Sequence, residues 1–184
     1  MLSDRIERAI TFAACAHEGQ RRRASDTPYI AHPIAVGWML CIQDCHEDVV
    51  VSGILHDTVE DTDRTLAQIS ELFGARVAMI VEHVTEVEKS QPWEVRKQRL
   101  LDSIRSAPVE AKYVYCADKL HNVKSMMAMY RIHGDRMWDL FTRGYEKQKW
   151  YAHSAVASLY ANMDDRLLKP MFFELEQAVK ELFG

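Results

Sequence analysis

Val50-Val-Ser-Gly-Ile-Leu-His-Asp-Thr-Val-Glu-Asp61 is the stretch on which the reading of this chain turns. A mostly apolar run, Val49 to Leu55, passes directly into four ionisable residues: His56, Asp57, Glu60 and Asp61. In a helix, positions four apart share a face, so Glu60 stands one turn beyond His56 and Asp61 one turn beyond Asp57. Carrying such groups into an apolar interior is costly unless something pairs with them. A divalent metal is such a partner. Neutral imidazole and carboxylate are good ligands for a first-row metal, and a second acidic pair nearby can help activate a bound water.

The surroundings of this stretch are those of a globular domain. The chain has 184 residues, 48% apolar and 27% charged, enough for one domain with a sizeable core. A net charge of −4 gives no bulk attraction to nucleic acid or to an anionic membrane, so any phosphate binding has to come from local basic clusters. No apolar run approaches the ~18 residues of a membrane span, and the first residues carry no charged-then-apolar signal segment. Four cysteines, Cys15, Cys41, Cys45 and Cys116, form no dense framework and read as reduced, mostly buried thiols of a cytosolic protein. Cys41-x3-Cys45-His46 lacks the second ligand pair of a zinc site.

Helical periodicity dominates, which predicts an all-α fold. Ser3 caps a first helix to His17 with Leu2, Ile6, Ile10 and Ala13 as its stripe, and a polar loop follows to Tyr29. Helices are then expected from His32-Pro33 to about Asp44 and from Glu47 to Thr58, with a loop over Val59 to Arg64. Thr65-Leu-Ala-Gln68 is a capping box opening a helix that stops at Phe73-Gly74. Further helices are expected over Ala75 to Glu86, from Pro92-Trp93 to before Pro108, over Val109 to Tyr130, over Asp135 to Asn162 and over Arg166 to Phe183. Tyr113-Val-Tyr-Cys116 alone reads as a strand, but the longer pattern is helical.

Four residues from three of these helices are candidate metal ligands: His32, His56, Asp57 and Asp118. Asp118 lies between Ala117 and Leu120 on an apolar stretch, where a carboxylate needs a partner. Two imidazoles and two carboxylates suit Mn²⁺, Fe²⁺ or Zn²⁺. The competing reading makes each histidine an ordinary hydrogen-bonded core residue and His56-Asp57 a polar helix end.

The motifs occur in a specific order: His17-Glu-Gly-Gln20, Pro28-Tyr-Ile-Ala-His32-Pro33, Leu55-His-Asp-Thr-Val-Glu-Asp-Thr62, Phe73-Gly74, Val84-Thr85 and Ala117-Asp-Lys-Leu-His-Asn122. This series resembles the HD-superfamily hydrolase domain of RelA/SpoT proteins, and most of all the stand-alone small alarmone hydrolases such as the metazoan SpoT homologues. The resemblance spans from about residue 5 to residue 160. It implies a helical bundle, residues 1–184 as a single domain, holding one Mn²⁺ on His32, His56, Asp57 and Asp118. It implies hydrolysis of the 3′-pyrophosphate of guanosine tetra- or pentaphosphate, with Glu60 and Asp61 as the catalytic acidic pair. Without room for synthetase and regulatory regions, such a chain would hydrolyse alarmone and not make it. The resemblance also places Asn122 and Ser125 at the substrate. Asn122, one turn beyond Asp118, faces the same site, and neighbouring His121 is a candidate supporting residue.

A polyphosphate substrate needs further cations. Arg21-Arg22-Arg23 precedes His32, and arginine can grip phosphate bidentately and stack on a base. By resemblance Arg23 and Arg22 contact guanine or phosphate, with Ser25 in the same loop, while Arg96, Lys97, Lys119 and Lys124 are further cationic candidates. Each also reads as a plain surface charge. Lys147, Lys149 and Tyr151 are placed at the far side of the pocket, Trp150 in the core, and Met126, Met127 and Met129 in core or interface packing. Ser25-Asp26-Thr27 stands where family members often carry Ser-Gly-Glu, and Ala24 where many carry lysine, so guanine selectivity is the feature these departures affect. Two other readings use the same residues: a phosphohydrolase for another nucleotide such as NADPH or a dinucleoside polyphosphate, and a non-catalytic nucleotide sensor. The expected partner is a small nucleotide, without nucleic acid or membrane, and the oligomeric state is left open.

Overall fold

A helix apolar around its whole circumference has to be enclosed by other elements. Helix α3 (Glu47–Leu55) is of this kind, with every residue from Asp48 to Leu55 buried. In the computed structural model, which describes residues 3–23, 25–86 and 88–184, it is surrounded by α1 (Asp4–Ala16), α2 (Ala31–Ile42), α6 (Ala75–Val84) and α8 (Val109–His133). Val51 and Leu55 are fully inaccessible, and side chains so placed contribute about 1.5–3 kcal/mol apiece. Asp48 is tied at the rim by Arg5 of α1 at 2.5 Å.

The other elements are the short α4 (Thr58–Asp61), α5 (Leu66–Phe73), α7 (Trp93–Ser106), α9 (Gly144–Tyr160) and α10 (Pro170–Phe183). Helix α8 packs against α2, α3 and α6 as well as α7, α9 and α10, so it joins the two halves of the bundle. Among the described residues there is no strand, only an isolated bridge between Arg21 and Pro28 inside the polar loop. The all-α expectation holds. So do the Ser3 cap, which accepts the Ile6 N–H at 3.2 Å, and the Thr65–Gln68 capping box. Tyr113 to Cys116 is helical. Leu2, assigned to the first stripe, lies outside the described residues, as does Ala24.

Several boundaries differ from the sequence reading. The helix expected to run to Thr58 stops at Leu55, because side chains take its last carbonyls: His56 Nδ1 bonds the Gly53 carbonyl at 2.7 Å and Thr58 Oγ1 the Leu55 carbonyl at 2.7 Å. Of the loop expected over Val59 to Arg64, Val59 to Asp61 belong instead to α4, while Thr62 to Arg64 are non-helical. The expected helix over Asp135 to Asn162 divides into a 3₁₀ turn, Gly134–Leu140, and α9, with Gly144 at φ 63° in the left-handed region where the chain changes direction. The last helix begins at Pro170 in its first turn, four residues later than read.

Burial of the thiols also differs from expectation. All four cysteines are free, but Cys15 and Cys41 are exposed on α1 and α2, and only Cys116 is buried.

The α2–α3 contact is unusually close. A Cβ on Gly37 would lie 2.4 Å from Ile54 Cγ1, and one on Gly53 2.4 Å from Leu40 Cδ1. Ile54 is 2% exposed and has nowhere to move. Gly37→Ala should therefore destabilise the fold by about 1–3 kcal/mol despite alanine's better helix propensity. Urea unfolding checks this; a variant at least as stable as the parent would show that the helices separate freely.

Candidate metal centre and active site

The α2–α3 approach brings two imidazoles together. His32 enters from the first turn of α2 and is 1% exposed; His56 stands at the end of α3 and is 4% exposed. Their ring centroids are 5.2 Å apart. A backbone carbonyl can only accept, so the 2.7 Å bond to Gly53 puts a His56 proton on Nδ1, and in the neutral ring Nε2 is then the lone pair. That Nε2 is buried and has no hydrogen-bond partner.

Two carboxylates face it. Asp57 Oδ2 is 3.1 Å from His56 Nε2 and 3.5 Å from His32 Nε2. Asp118 Oδ1, from mid-α8, is 3.2 Å from His32 Nε2 and 3.7 Å from His56 Nε2. One ligand atom each from His32, His56 and Asp118 lies within 4.8 Å of the other two. The four candidates named from the sequence therefore converge.

Neighbouring groups hold the four in place. Tyr29 donates its hydroxyl proton to Asp57 Oδ2 at 2.6 Å, Asn122 Nδ2 donates to Asp118 Oδ1 at 2.5 Å, and Lys119 Nζ lies 2.6 Å from Asp118 Oδ2. His32 Nδ1 meets His121 Nδ1 at 2.8 Å. Burial opposes ionisation of Asp118, but Lys119 and the two imidazoles outweigh it and hold the carboxyl well below its ordinary range. Asp57 is likewise lowered against burial, chiefly by His56. The His56 imidazole is raised by the two carboxylates although its burial works the other way, whereas in His32 burial prevails and lowers the pKa.

The acidic pair divides. Asp61 lines the main cavity and has Lys89 Nζ at 3.1 Å. Glu60 turns inward, its Oε2 accepting the Glu86 N–H at 3.0 Å, and burial together with the Glu86 charge pushes its carboxyl up to about 7.

The main cavity has a volume of about 910 Å³, and His32 is on its wall. Arg22, Arg23, Ser25, Lys97, Lys119, Asn122 and Ser125 all reach it. Arg22 donates to Asn122 Oδ1 at 3.0 Å; Arg23 lies over the Phe141 ring at 5.1 Å and bonds the Leu140 carbonyl at 3.0 Å. Ser25 Oγ accepts the Thr27 N–H at 2.9 Å, and Ser125 Oγ donates to the His121 carbonyl at 2.8 Å. Arg96 does not reach this cavity. It pairs with Glu86 at 2.8 Å and lines an adjoining cleft of about 480 Å³ with Arg23, Lys89 and Arg143. Lys124 is paired outward with Glu174.

Other placements need correction. Trp150 is not core: it is 36% exposed, packed on Trp93 at 5.9 Å, and Tyr151 takes the cavity position. Met126 and Met129 form cavity wall as well as packing. Of the lysines placed at the far side, Lys147 pairs with Glu94 at 3.6 Å, and neither it nor Lys149 lines the cavity. Sequence reasoning missed Tyr29 and Glu86. Tyr29 was quoted in a motif without a role, although its position three before His32 hinted at one. Glu86, 7% exposed and holding both Arg96 and Lys97, gave no signal, since its partners are ten and eleven residues away.

The HD domain family model matches residues 9–136, more than half of the chain. The chain is an HD-domain protein. Among its relatives, the mouse protein named guanosine-3′,5′-bis(diphosphate) 3′-pyrophosphohydrolase MESH1 is 42% identical over 121 residues, 64% of this chain and 67% of that one. The crystal structure of lmo0812 from Listeria monocytogenes EGD-e superposes with a TM-score of 0.78 at 36% identity, covering 87% of this HD-domain protein and all of that chain. A metazoan orthologue of SpoT that hydrolyses ppGpp superposes at 0.81 with 26% identity, covering 99% and 97% of the two chains. In this HD-domain protein the donor set fits a divalent cation: an unpartnered buried Nε2, a second imidazole and carboxylates held ionised around it.

The raised Glu60 pKa has a measurable sign. A carboxyl at about 4.5 unfolded and about 7 folded costs stability as pH rises through that window, and the full cost is present above it. In chelator-treated protein, Glu60→Gln should gain about 1–3 kcal/mol on the parent between pH 5 and pH 8. Denaturant midpoints across the window measure it; a constant difference would place Glu60 in solvent.

Proposed function

We propose that this HD-domain protein is a Mn²⁺-dependent hydrolase that removes the 3′-pyrophosphate of guanosine tetra- or pentaphosphate, giving GDP or GTP and pyrophosphate. The observation that carries it is a buried His/Asp cluster that meets, at His32, a cavity whose walls are cationic and aromatic. The named activities of the mouse relative and the SpoT orthologue agree with it. Residues 1–184 act as one cytoplasmic hydrolase domain on a free nucleotide, and no described helix is long and apolar enough to cross a membrane.

His32, His56, Asp57 and Asp118 hold the ion. When bound, it would supply a water of depressed pKa and polarise the phosphoryl group whose phosphorus is attacked. The protein's own groups do the rest. A water–phosphorus bond forms as the bond from phosphorus to the 3′ oxygen breaks, and the departing oxygen takes up a proton. Glu60 or Asp61 receives the proton of the attacking water. Glu60 has an affinity matched to neutral pH, and Asp61 is the member at the cavity wall. Arg22, Arg23, Lys97 and Lys119 offset phosphate charge, and positioning of this kind accounts for most catalysis in phosphoryl transfer. Phe141, Tyr151 and Trp93 offer flat apolar faces for a base and ribose.

Incubation with ppGpp and Mn²⁺, followed by ion-exchange chromatography, should yield GDP and pyrophosphate. No product at micromolar enzyme would overturn the proposal, and turnover of NADPH alone would move the same chemistry to another nucleotide. Asp61→Asn should lower kcat by about 10²–10⁴-fold with metal content intact by elemental analysis, while His56→Ala should lose the metal.

A further inference from the structure

Two imidazole nitrogens 2.8 Å apart, His32 Nδ1 and His121 Nδ1, share one proton between them. His32 is 1% exposed, so no solvent competes for its Nδ1. Its other nitrogen, Nε2, is the one aimed at Asp57 and Asp118. A nitrogen that binds a cation carries no proton, so in that state the proton of neutral His32 is on Nδ1, and His121 Nδ1 is the lone pair that accepts it. A neutral His121 accepting at Nδ1 keeps its own proton on Nε2. That second nitrogen has no hydrogen-bond partner in the described protein and is not among its buried unpartnered atoms, and His121 lines the main cavity.

The placement follows from α8. Asp118 and His121 are three residues apart on one helical face, so the helix that delivers one ligand also delivers the group that orients a ligand from α2. The ring centroids of His32 and His121 are 4.8 Å apart, and Ser125 Oγ bonds the His121 carbonyl at 2.8 Å.

We propose that His121 is a positioning residue of the metal centre: its Nδ1 fixes His32 in the tautomer that presents Nε2 to the cation, and its Nε2–H is thereby turned into the cavity as a donor to a substrate phosphate oxygen. The first half rests only on the metal part of the function proposed above, the second on its phosphate substrate.

His121→Phe removes both nitrogens at similar ring size. His121→Asn places an amide oxygen where Nδ1 stood but has no donor at the Nε2 position. Calorimetric titration of Mn²⁺ into chelator-stripped protein should show a Kd raised about 10–100-fold in His121→Phe and close to the parent's in His121→Asn. Should His121→Phe fail to fold by circular dichroism, His121→Gln, whose longer amide cannot reach the Nδ1 position, takes its place with the same expectation. Long-range ¹H–¹⁵N spectra of the Zn²⁺-loaded parent should show His32 as the Nδ1–H form and His121 as the Nε2–H form. Unchanged metal affinity in a folded His121→Phe, or His32 protonated at Nε2 in the loaded protein, overturns the positioning role. In the metal-replete His121→Asn variant the KM for the nucleotide should rise; an unchanged KM overturns the donor half. The metal titration uses no nucleotide, so the positioning role stands or falls separately from the ppGpp assignment.

Discussion

Three side chains that water would ordinarily hold, His32, His56 and Asp118, are each at most 7% exposed and sit on three different helices. Isolated in an apolar interior, each would be strongly unfavourable. Together they are tolerable only at one mutual geometry, and that requirement fixes how α2, α3 and α8 meet. Gly37 and Gly53 are the means on the backbone side, since a methyl group at either would hold the first two helices apart. The Gly53 carbonyl serves a second purpose as the acceptor that orients His56. The close packing and the ligand orientation therefore depend on the same few atoms of α3.

Charge is layered outward from that point. Asp57 and Asp118 make the buried cluster negative and are held ionised by the imidazoles and, for Asp118, by Lys119. Above it, Arg22, Arg23 and Lys97 make the walls positive. Glu86 is the hinge between the layers: nearly buried, it anchors Arg96 and Lys97, while its backbone N–H and its charge act in opposite directions on Glu60. The result keeps one carboxyl of the acidic pair close to neutral pH and leaves the other, Asp61, beside Lys89 at the cavity wall.

Much of this was legible in the sequence. The helices with apolar stripes and defined caps, such as α1 behind Ser3 and α5 behind Thr65, fall where their local signals put them, because those signals act within a few residues. The four ligand candidates were recoverable because a histidine or aspartate embedded in apolar sequence has to be satisfied somewhere. What was not legible depends on distant groups. The stop at Leu55 comes from side chains of residues that read equally well as helix. The break between Leu140 and α9 turns on a single glycine conformation at Gly144. Trp150 and Tyr151 are adjacent and both aromatic, and only the angle at which α9 crosses α7 decides which one faces the cavity and which the surface.

Helix α8 shows why the site and the fold cannot be separated here. Asp118, Lys119, His121, Asn122 and Ser125 lie within about two turns, and they supply a candidate ligand, its counter-charge, the partner of another candidate ligand, and two cavity groups. Lys119 is largely enclosed and reaches water only through the cavity: its ammonium lies 2.6 Å from Asp118 and over the rings of Tyr115 and Tyr151 at 4.8 and 5.4 Å. Removing the Asp118 carboxylate would leave that ammonium with the two aromatic faces and the cavity in place of its ion pair, which compensate only part of the interaction it has lost. Neutralising this aspartate thus strips the site of a candidate ligand and also leaves a largely enclosed ammonium without its counter-charge at the junction of the two halves of the bundle. The polar residues of α8 are consequently structural as well as chemical, and the same aspartate that would bind a cation also holds a lysine at the inner wall of the cavity.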